Sequence, residues 1–489
     1  MRRLPLVGLA LLVACGSSSS SDGPGDDATP VDGGGDSSAT DGPRADGPAS
    51  DAPGSDAPRT DGGKVDAPPG DGPLADAPPT DDAPFAAQRA ACTFKGGAKP
   101  SDTFGPSIAT GALPIDTIVI VSQENRSFDV YFSNLPAYGQ PDADVAPLGA
   151  TLNDGAGKPV ARKHQTSHCT YDPHHDWDSM HADYDGGKND KFLSVNGDQA
   201  PTIDWYDESD LPFYYALASD YGISDRYFSG LLGPTGPNRL YLFAASSYGH
   251  VHNGPGVAPG APDIFKRLSA AGVKFEIYSA GATGSMGSCP GPYSFERAMF
   301  CGSTSIAKTI TDFEAAAAAG TLPAVSWIYA GADEHPSGNV TQGEADVQRV
   351  YDALAKSPQW YDAATGHGAL FAMTYDEAGG FYDHVPPPSA CPPDDLAPIV
   401  PGEASTPGKF DRYGFRVPLI LASPFSRPHY VSHEVASHTS LLRLLELKFS
   451  MPAMTARDAN AGALLDFFDF TKPAFSTAKI PPKAPAKGC

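Results

Sequence analysis

Two apolar runs along the chain end in acidic residues, and both predict buried β-strands. Residues 115–121 are almost entirely β-branched and apolar, and Glu124-Asn125 follows them closely. The run Leu370–Thr374 leads in the same way into Asp376-Glu377. Runs this apolar are typical of strands in a parallel sheet that is covered on both faces. Because the carboxyl ends of such strands form one edge, the two acidic pairs are predicted to lie together.

The remaining pattern extends this prediction to a complete domain. A third apolar run, Val417–Ala422, predicts another strand, and Asp346–Ala355 and His438–Lys448 have helical periodicity. The alternation of strands and helices over residues 86–489 predicts one α/β domain. We expect a parallel or mixed central sheet with helices on both faces.

The N-terminus has the pattern of an exported lipoprotein. Two arginines precede an apolar stretch that is too short to span a bilayer, and Leu12–Cys15 resembles the lipobox of bacterial lipoproteins. We therefore expect residues 1–14 to be a lipoprotein signal peptide and Cys15 to be lipidated. Gly16 replaces the Asp that serves as an inner-membrane retention signal, so anchoring at the outer membrane or cell surface is expected. An ordinary signal peptide with an incidental cysteine is the alternative.

Residues 15–85 form a low-complexity segment that we expect to be a disordered tether. Asp recurs every five residues from Asp36 to Asp81 among Pro, Ala, Gly and Ser, and almost nothing apolar is available to bury. Fifteen Asp and three basic residues give the segment a net charge of −12, half of the chain's −24. The acidic balance therefore says little about the substrate, and it argues against nucleic acid as a partner.

The cysteine count predicts disulfides. With Cys15 lipidated, six cysteines remain, and an even number in an exported chain predicts up to three disulfides. The six are Cys92, Cys169, Cys289, Cys301, Cys391 and Cys489. Cys289–Cys301 is the first expected pair because it closes a short loop. The sequence contains no CxxC, so neither a zinc ribbon nor a redox site of that kind is expected.

The two strand ends together predict a cation site. Three carboxylates, those of Glu124, Asp376 and Glu377, would repel one another in one place unless a cation or protons intervened. Ligands that are all oxygen suit a hard divalent ion such as Mg²⁺, Ca²⁺ or Mn²⁺, and Zn²⁺ stays open. We expect one divalent cation of unknown identity. Two ordinary strand exits with solvated acids are the alternative.

A turn-rich segment supplies a candidate nucleophile. Thr235 lies in the loop 233–239, just before a helix-like stretch at Leu240–Ser246. A hydroxyl near a helix N-terminus is well placed to face an anion. On spacing alone, however, a helix cap or turn residue is the favoured interpretation of Thr235. Asn238 and Arg239 from the same loop are predicted to bind substrate.

Several motifs in this order resemble the bacterial phosphoesterase family, which contains phospholipases C and an acid phosphatase. The resemblance rests on QENRSFD, GGKND, DRYF with GPTGPNRLYL, SWIYAGADEHP, YDEAGGFYDHVPPP and YGFRVPLILASPFSR with SHTSLLRLLE, and it covers nearly all of residues 113–449. It implies an alkaline-phosphatase-like α/β fold and a hydrolase of phosphoesters.

The resemblance also implies roles for the matching residues. Those that match the family's metal site are Glu124, Asn125, Asp376, Glu377 and Thr235. Thr235 also matches the Ser or Thr nucleophile. The histidines that match catalytic positions are His175, His335 and His384. One departure is Ser437 before His438, where the family often has Asp.

The mechanism implied is attack by Thr235 on phosphorus, protonation of the leaving alcohol by His175 or His335, and hydrolysis of the phosphothreonine. The leading prediction is a metal-dependent phospholipase C that cleaves phospholipids at the membrane. The chain ends soon after the catalytic blocks, without the long C-terminal β domains of the larger phospholipases C. An acid phosphatase on soluble monoesters is therefore the alternative. A non-catalytic surface-binding lipoprotein is a third possibility. No protein partner is evident from the sequence.

Overall fold

The computed structural model describes residues 83–105, 113–253, 261–279, 308–329, 334–398, 406–485 and 487–489. The signal peptide, Cys15 and the tether as far as residue 82 lie outside these residues, as does the expected pair Cys289–Cys301. The first described helix begins at Ala83, just before the domain boundary predicted at residue 85. Among the described residues, no helix is both long and apolar enough to cross a membrane.

The described strands are short except for two of nine residues, which lie at the centre of the main sheet. In chain order they are β1 Ile115–Gln123, β2 Thr151–Asn153, β3 Pro159–Ala161, β4 Gly222–Ser224, β5 Tyr227–Phe228, β6 Phe275–Ser279, β7 Lys308–Thr309, β8 Val325–Tyr329, β9 Tyr361–Asp362, β10 His367–Tyr375, β11 Leu419–Ala422, β12 Tyr430–Ser432 and β13 Ala436–Ser437. Strand β1 pairs with β10 along its whole length, apart from a register shift near Ile115.

Most helices connect these strands. The described α-helices span Ala83–Ala90, Pro100–Phe104, Phe128–Phe132, Leu135–Tyr138, Trp177–Tyr184, Phe192–Val195, Pro212–Asp220, Thr235–Ala244, Ile264–Ala270, Ile310–Ala319, Val340–Ala355, His438–Lys448 and Ala456–Ala459. The described 3₁₀-helices span Asp185–Gly187, Ala200–Thr202 and Leu465–Phe467.

The main sheet is mixed, with nine strands among the described residues. Its order is β12-β4-β11-β10-β1-β8-β6-β7, and β9 pairs with β10 beside this path. Strands β10, β1, β8, β6 and β7 run parallel, whereas β11 runs antiparallel to β10 and to β4. The α/β class and the mixed sheet predicted from the sequence are confirmed.

Both faces of the central strands are covered. Successive side chains of a strand point to opposite faces, yet eight of the nine residues of β1 and eight of the nine of β10 are buried. A sheet exposed on one side would alternate between buried and exposed residues. The continuous apolar runs in the sequence therefore reflect a sheet enclosed between two layers.

Three elements differ in extent from their predictions. The strand predicted at Val417 begins at Leu419, and the helix predicted from Asp346 begins at Val340, where Asn339 accepts a hydrogen bond from the Thr341 N–H. The helix expected from Leu240 begins at Thr235 and includes Pro237. Proline is tolerated there because N–H groups of the first helical turn have no partner within the helix.

Two disulfides join distant parts of the chain. Cys92 pairs with Cys391 and Cys169 with Cys489, across sequence separations of 299 and 320 residues. The expectation of disulfides in an exported chain is therefore met for four of the six cysteines.

Candidate active site

The two central strands deliver their acidic pairs to one place. Gln123 and Tyr375 are the last partners in the parallel register of β1 and β10, so Glu124 and Asp376 follow side by side. The Asn125 N–H donates to Asp376 Oδ1 at 3.1 Å, which joins the two pairs directly. The predicted meeting of Glu124-Asn125 with Asp376-Glu377 is thus present in the structure.

A tight turn lets the second acidic pair approach the first. Asn125 has a φ of +62° and Gly379 a φ of +66°. A Cβ atom on Gly379 would lie 2.6 Å from Asn125 Cβ, which is too close for any other residue. The Gly379 N–H donates to Glu377 Oε2 at 2.5 Å and holds that carboxylate in the site.

Thr235 lies at the same edge of the sheet. Its Oγ1 is 3.3 Å from Glu124 Oε1 and 3.3 Å from Asn125 Oδ1. It is the first residue of the helix Thr235–Ala244, so its hydroxyl lies at the positive end of the helix dipole. The hydroxyl makes no cap hydrogen bond, because Pro234 occupies the cap position.

Arg239 lies between the two acidic pairs. It is four residues after Thr235 and therefore on the same helix face. Its Nη2 donates to Glu124 Oε2 at 2.8 Å and its Nε to Asp376 Oδ2 at 2.9 Å. The sequence predicted that Arg239 would face a phosphate oxygen. In the structure its guanidinium is an ion-pair bridge between two strand-end carboxylates.

Asn238 is engaged with its own loop. Its amide donates to the carbonyls of Gly233 and Pro234, and its Oδ1 accepts from the Leu231 N–H at 3.0 Å. These bonds fix the turn that leads into the helix carrying Thr235.

The electrostatics of the acidic group follow from burial. Burial raises the pKa of Glu377 well above its usual range, and the neighbouring Asp376 raises it further. Burial also raises the pKa of Asp376, and the Arg239 charge limits that rise. Glu377 Oε1 is buried and has no hydrogen-bond partner among the described residues. An unpartnered carboxylate oxygen among other oxygen ligands is a feature that a cation would satisfy.

The residues present therefore fit a hard divalent cation. Glu124 Oε1, Asn125 Oδ1 and Thr235 Oγ1 lie together, and Glu377 Oε1 has unused acceptor capacity nearby. All four ligand atoms are oxygen, which favours Mg²⁺, Ca²⁺ or Mn²⁺.

His175 and His335 lie on the more accessible side of this group. His175 Nε2 is 3.3 Å from Asn125 Nδ2 and 3.8 Å from Glu377 Oε1. Its Nδ1 is 2.7 Å from the Pro173 carbonyl, which can only accept, so Nδ1 carries the proton. In the neutral ring, Nε2 is then the unprotonated nitrogen that faces the site.

His335 completes the histidine side with Asp172. The rings of His175 and His335 are 6.1 Å apart, and one ligand atom from each of Asp172, His175 and His335 lies within 4.8 Å of the others. Both histidines are partly accessible and Asp172 is exposed, whereas the strand-end residues are buried. A substrate would therefore meet the histidines first.

His384 belongs to a separate group of charges. Its Nδ1 is 2.7 Å from Asp129 Oδ2 and its Nε2 is 3.1 Å from Asp144 Oδ1. The buried Arg416 bridges Asp129 and Asp383 in the same group. The sequence predicted His384 as a catalytic contributor. Its contacts in the structure connect the loop after β10 to the helix Phe128–Phe132.

We expect the contribution of His384 to stability to depend on pH. Burial alone would lower the pKa of His384, but the hydrogen bond and charge of Asp129 raise it above its usual value. Burial would raise the pKa of Asp129, but Arg416 and His384 hold it well below its usual range, so Asp129 stays ionised. A raised histidine pKa stabilises the fold below the unfolded value of about 6.5, and the effect is lost as pH rises through the folded pKa.

The test is His384→Gln, which cannot become charged. Its melting temperature should lie furthest below that of the wild type at pH 5 to 6, and the gap should narrow at higher pH. Differential scanning fluorimetry across this range measures the gap. A gap that is constant with pH would contradict the ion pair.

His438 is a buried histidine that contacts the backbone of Asp376, and the SHTS motif in the sequence indicated it only in part. Its buried Nε2 donates to the Asp376 carbonyl at 2.6 Å, and Tyr227 lies at its Nδ1. Burial lowers the pKa of His438 to about 4, so the ring stays neutral. Ser437, which departs from the family motif, caps the helix His438–Lys448 through the Thr439 N–H.

Comparison with known proteins gives consistent matches. The phosphoesterase family model matches residues 115–452. Phospholipase C B of Mycobacterium tuberculosis is 31% identical over 453 residues, covering 80% of this chain and 85% of that protein. Hemolytic phospholipase C of Pseudomonas aeruginosa is 32% identical over 442 residues, covering 75% of this chain and 57% of that protein.

Similarity extends to a plant protein and, weakly, to a solved structure. Non-specific phospholipase C3 of Arabidopsis thaliana is 27% identical over 414 residues, covering 74% of this chain and 75% of that protein. A solved structure described as a protein in the alkaline phosphatase superfamily from Vibrio parahaemolyticus has a TM-score of 0.36 at 11% identity. It covers 80% of this chain and 79% of that chain, and a score this low does not by itself establish a fold.

Proposed function

We propose, from the premise that the chain belongs to the phosphoesterase family, that it is a metal-dependent phospholipase C with Thr235 as its nucleophile. As a member of this family it is a hydrolase that acts on phosphoester bonds. The observation that carries the finer proposal is the contact of Thr235 Oγ1 with both Glu124 and Asn125 at the ends of a rigid strand. Phospholipids are the proposed substrates because the matched relatives are named phospholipases C.

The proposed cation ligands are Glu124, Asn125, Thr235, Asp376 and Glu377. When bound, a divalent cation would supply positive charge that favours ionisation of a nearby hydroxyl and offsets charge on phosphoryl oxygens. The helix dipole at Thr235 acts in the same direction without any cation. Arg239 holds Glu124 and Asp376 in place for this task.

The chemistry proposed for the chain's own residues is a double displacement. Thr235 Oγ gives its proton to a histidine as it forms a bond to phosphorus, the bond from phosphorus to the diacylglycerol oxygen breaks, and a histidine gives a proton to the leaving oxygen. Water then gives a proton to a histidine as its oxygen bonds to phosphorus, and the bond from phosphorus to Thr235 breaks. A histidine returns a proton to Thr235 Oγ, and the phosphorylated head group is released. His175 and His335, at the accessible side, are the proposed proton carriers.

The supporting residues are assigned by their contacts. Asn238 is proposed to hold the Thr235 turn, since its amide bonds to Gly233 and Pro234. His384 is proposed to stabilise the structure around the site through its hydrogen bond to Asp129.

The test compares turnover of two substrates by purified residues 83–489. We expect phosphatidylcholine to be cleaved to diacylglycerol and phosphocholine, with loss of turnover after chelation and recovery on adding Mn²⁺, Ca²⁺ or Mg²⁺. Faster turnover of p-nitrophenyl phosphate would instead favour the acid phosphatase alternative. If neither substrate were turned over with any of these ions, the remaining alternative would be a non-catalytic, surface-binding lipoprotein.

The proposed location is the outer membrane or cell surface, through lipid on Cys15 and a tether over residues 15–85. A tether would let the catalytic domain reach a substrate surface without a spanning helix. Mass spectrometry of the mature N-terminus tests the anchor, and an unmodified N-terminus at another residue would contradict it.

A further inference from the structure

A buried carboxylate lies directly behind the candidate active site and contacts both ligand-bearing strands. Glu334 Oε1 accepts from Tyr214 OH at 2.6 Å and from Gln123 Nε2 at 3.1 Å. Glu334 Oε2 accepts from Tyr131 OH at 2.5 Å and from Tyr375 OH at 2.7 Å. Each oxygen thus accepts two hydrogen bonds, and Glu334 is 1% exposed.

Two of these four donors, Gln123 and Tyr375, directly precede proposed ligands. Gln123 is the last residue of β1 and is followed by Glu124, and Tyr375 is the last residue of β10 and is followed by Asp376. Glu334 therefore connects the two strands one residue before each strand delivers its carboxylate.

A third path leads from Glu334 to Asn125. Tyr131 OH, which donates to Glu334, accepts from Arg126 Nε at 3.2 Å. Arg126 Nη1 in turn donates to the Asn125 carbonyl at 2.7 Å. Three of the five proposed ligand residues are thus linked to one carboxylate, through Gln123, Tyr375 and the Tyr131–Arg126 pair.

The same residue also sets the position of a proposed catalytic histidine. His335 follows Glu334 directly in the chain, and Glu334 has a φ of +63°. A non-glycine residue in this left-handed region is uncommon, and such a conformation persists where surrounding contacts determine it. The four hydrogen bonds to the Glu334 carboxylate provide those contacts.

Room for Glu334 depends on one glycine in the helix Val340–Ala355. A Cβ atom on Gly343 would lie 2.1 Å from Glu334 Cγ and 2.7 Å from its Oε1. Glycine is otherwise unfavourable inside a helix relative to Ala. The close approach of Glu334 explains why glycine occupies this helical position.

We propose that Glu334 is the positioning residue of the active site, which holds the two cation-binding strand ends and His335 in one geometry. This inference rests on the proposed function, because it concerns the site to which Thr235 belongs. The hydroxyls of Tyr131, Tyr214 and Tyr375 all donate to the carboxylate oxygens of Glu334. Glu334 touches neither the proposed nucleophile nor the proposed cation ligands in the contacts described above, so it acts through its neighbours.

The test is Glu334→Gln, which keeps the shape of the side chain and removes its charge. We expect kcat to fall about 10-fold to 100-fold, with KM changed by less than about threefold, as for residues that orient ligands without touching substrate. We also expect the dissociation constant of Mn²⁺, measured by calorimetry on the metal-free protein, to rise about tenfold. A role limited to stability would change neither quantity below the melting temperature.

Glu344 provides a matched control. It is also a buried carboxylate, and it accepts from the Phe213 and Tyr214 N–H groups at 2.8 and 3.0 Å. It lies on the same helix as Gly343, and these contacts go to the start of another helix rather than to β1 or β10. Glu344 contacts Tyr214 through its backbone N–H, whereas Glu334 accepts from the Tyr214 hydroxyl. Glu344→Gln should therefore lower the melting temperature while leaving kcat and the Mn²⁺ affinity within about twofold of the wild type.

Two further variants keep the inference testable if Glu334→Gln does not fold. Tyr375→Phe removes one of the four bonds, and Gly343→Ala displaces the carboxylate without changing its charge. Both should lower kcat and Mn²⁺ affinity in the same direction. The proposal would be overturned if folded Glu334→Gln had the same kcat and Mn²⁺ affinity as Glu344→Gln. If Glu334→Gln does not fold, the same result for Tyr375→Phe and Gly343→Ala would overturn it. Full activity of Thr235→Ala would instead overturn the proposed function.

Discussion

Thr235→Ala is expected to lower kcat for phosphoester hydrolysis by at least about 1,000-fold, because it removes the oxygen that bonds to phosphorus. Stability should change little. The hydroxyl caps no helix, since Pro234 holds the cap position, and its contacts with Glu124 and Asn125 are long at 3.3 Å. Steady-state kinetics with a soluble phosphodiester and a melting curve separate the two effects.

Thr235→Ser is the control for this variant. It retains a hydroxyl at the same position and should keep kcat within about tenfold of the wild type. Acid quenching of the wild type and of Thr235→Ser during turnover should trap phosphate ester on residue 235, detectable by peptide mass spectrometry. If Thr235→Ala retained a tenth or more of wild-type turnover, another group would have to be the nucleophile.

Glu124→Gln is expected to weaken binding of a divalent cation and to lower kcat by more than about 100-fold, because one ligand loses its charge. The fold should survive, since Glu124 follows the end of β1 rather than lying within it. Calorimetric titration with Mn²⁺ and steady-state kinetics provide the two measurements. A variant that bound Mn²⁺ as tightly as the wild type and stayed active would show that Glu124 is no ligand.

The structure changes what this variant should do without metal. From the sequence alone, repulsion among the carboxylates of Glu124, Asp376 and Glu377 predicts that Glu124→Gln leaves the stability of the metal-free protein unchanged or raises it. In the structure, however, Arg239 pairs with Glu124 and Asp376, and both side chains of the Glu124–Arg239 pair are nearly buried. Removing one partner of a buried pair is destabilising. We therefore expect metal-free Glu124→Gln to have a lower melting temperature than the metal-free wild type. The decrease should be limited, because Arg239 still pairs with Asp376.

Arg239→Met gives the complementary comparison. In the metal-free protein, this variant leaves the carboxylates of Glu124 and Asp376 without the guanidinium that pairs with them. Added Mn²⁺ should therefore raise the melting temperature of Arg239→Met more than that of the wild type. An equal rise in both proteins would argue against competition between the guanidinium and a bound cation for the same charge.

The sequence predicted the frame of the site because the frame follows from local patterns. The apolar runs of β1 and β10 mark buried parallel strands wherever they occur, and the polar residues after them lie at one edge by geometry. Thr235 and the histidines could be identified only because several motifs appear together in one order. The family match over residues 115–452 confirms the family that these motifs indicated, and the roles of Thr235 and the histidines stay predictions.

The surroundings of Glu334 could not be predicted in the same way. Its partners Tyr131, Tyr214 and Tyr375 are 203, 120 and 41 residues away in sequence. A glutamate in a short segment such as GADEHPSG, which also contains proline and glycine, is typical of an exposed loop. Only the three-dimensional packing encloses it among tyrosines, and sequence spacing carries no signal for that.

Arg239 and the cysteines show a second limit. An arginine near a predicted nucleophile is expected to face phosphate, yet its position one helical turn after Thr235 directs it to the strand-end acids. Pairing of six cysteines is not determined by spacing, since fifteen connectivities exist in principle. A preference for the shortest loop cannot identify pairs such as Cys92–Cys391, whose partners are 299 residues apart in sequence.

The long separations of the two disulfides bear on when the enzyme can mature. Neither Cys92–Cys391 nor Cys169–Cys489 can close until about 300 residues beyond its first cysteine are available, so both pairs form late relative to synthesis of their first cysteine. Loops of this length lose much conformational freedom when cross-linked, on the order of 5 kcal/mol each in the unfolded chain. A chain still in a reducing compartment lacks that stabilisation, and melting with and without reductant measures it. Under the proposed export, the phosphoester-cleaving site would gain this stabilisation only after the chain has left the reducing cytoplasm.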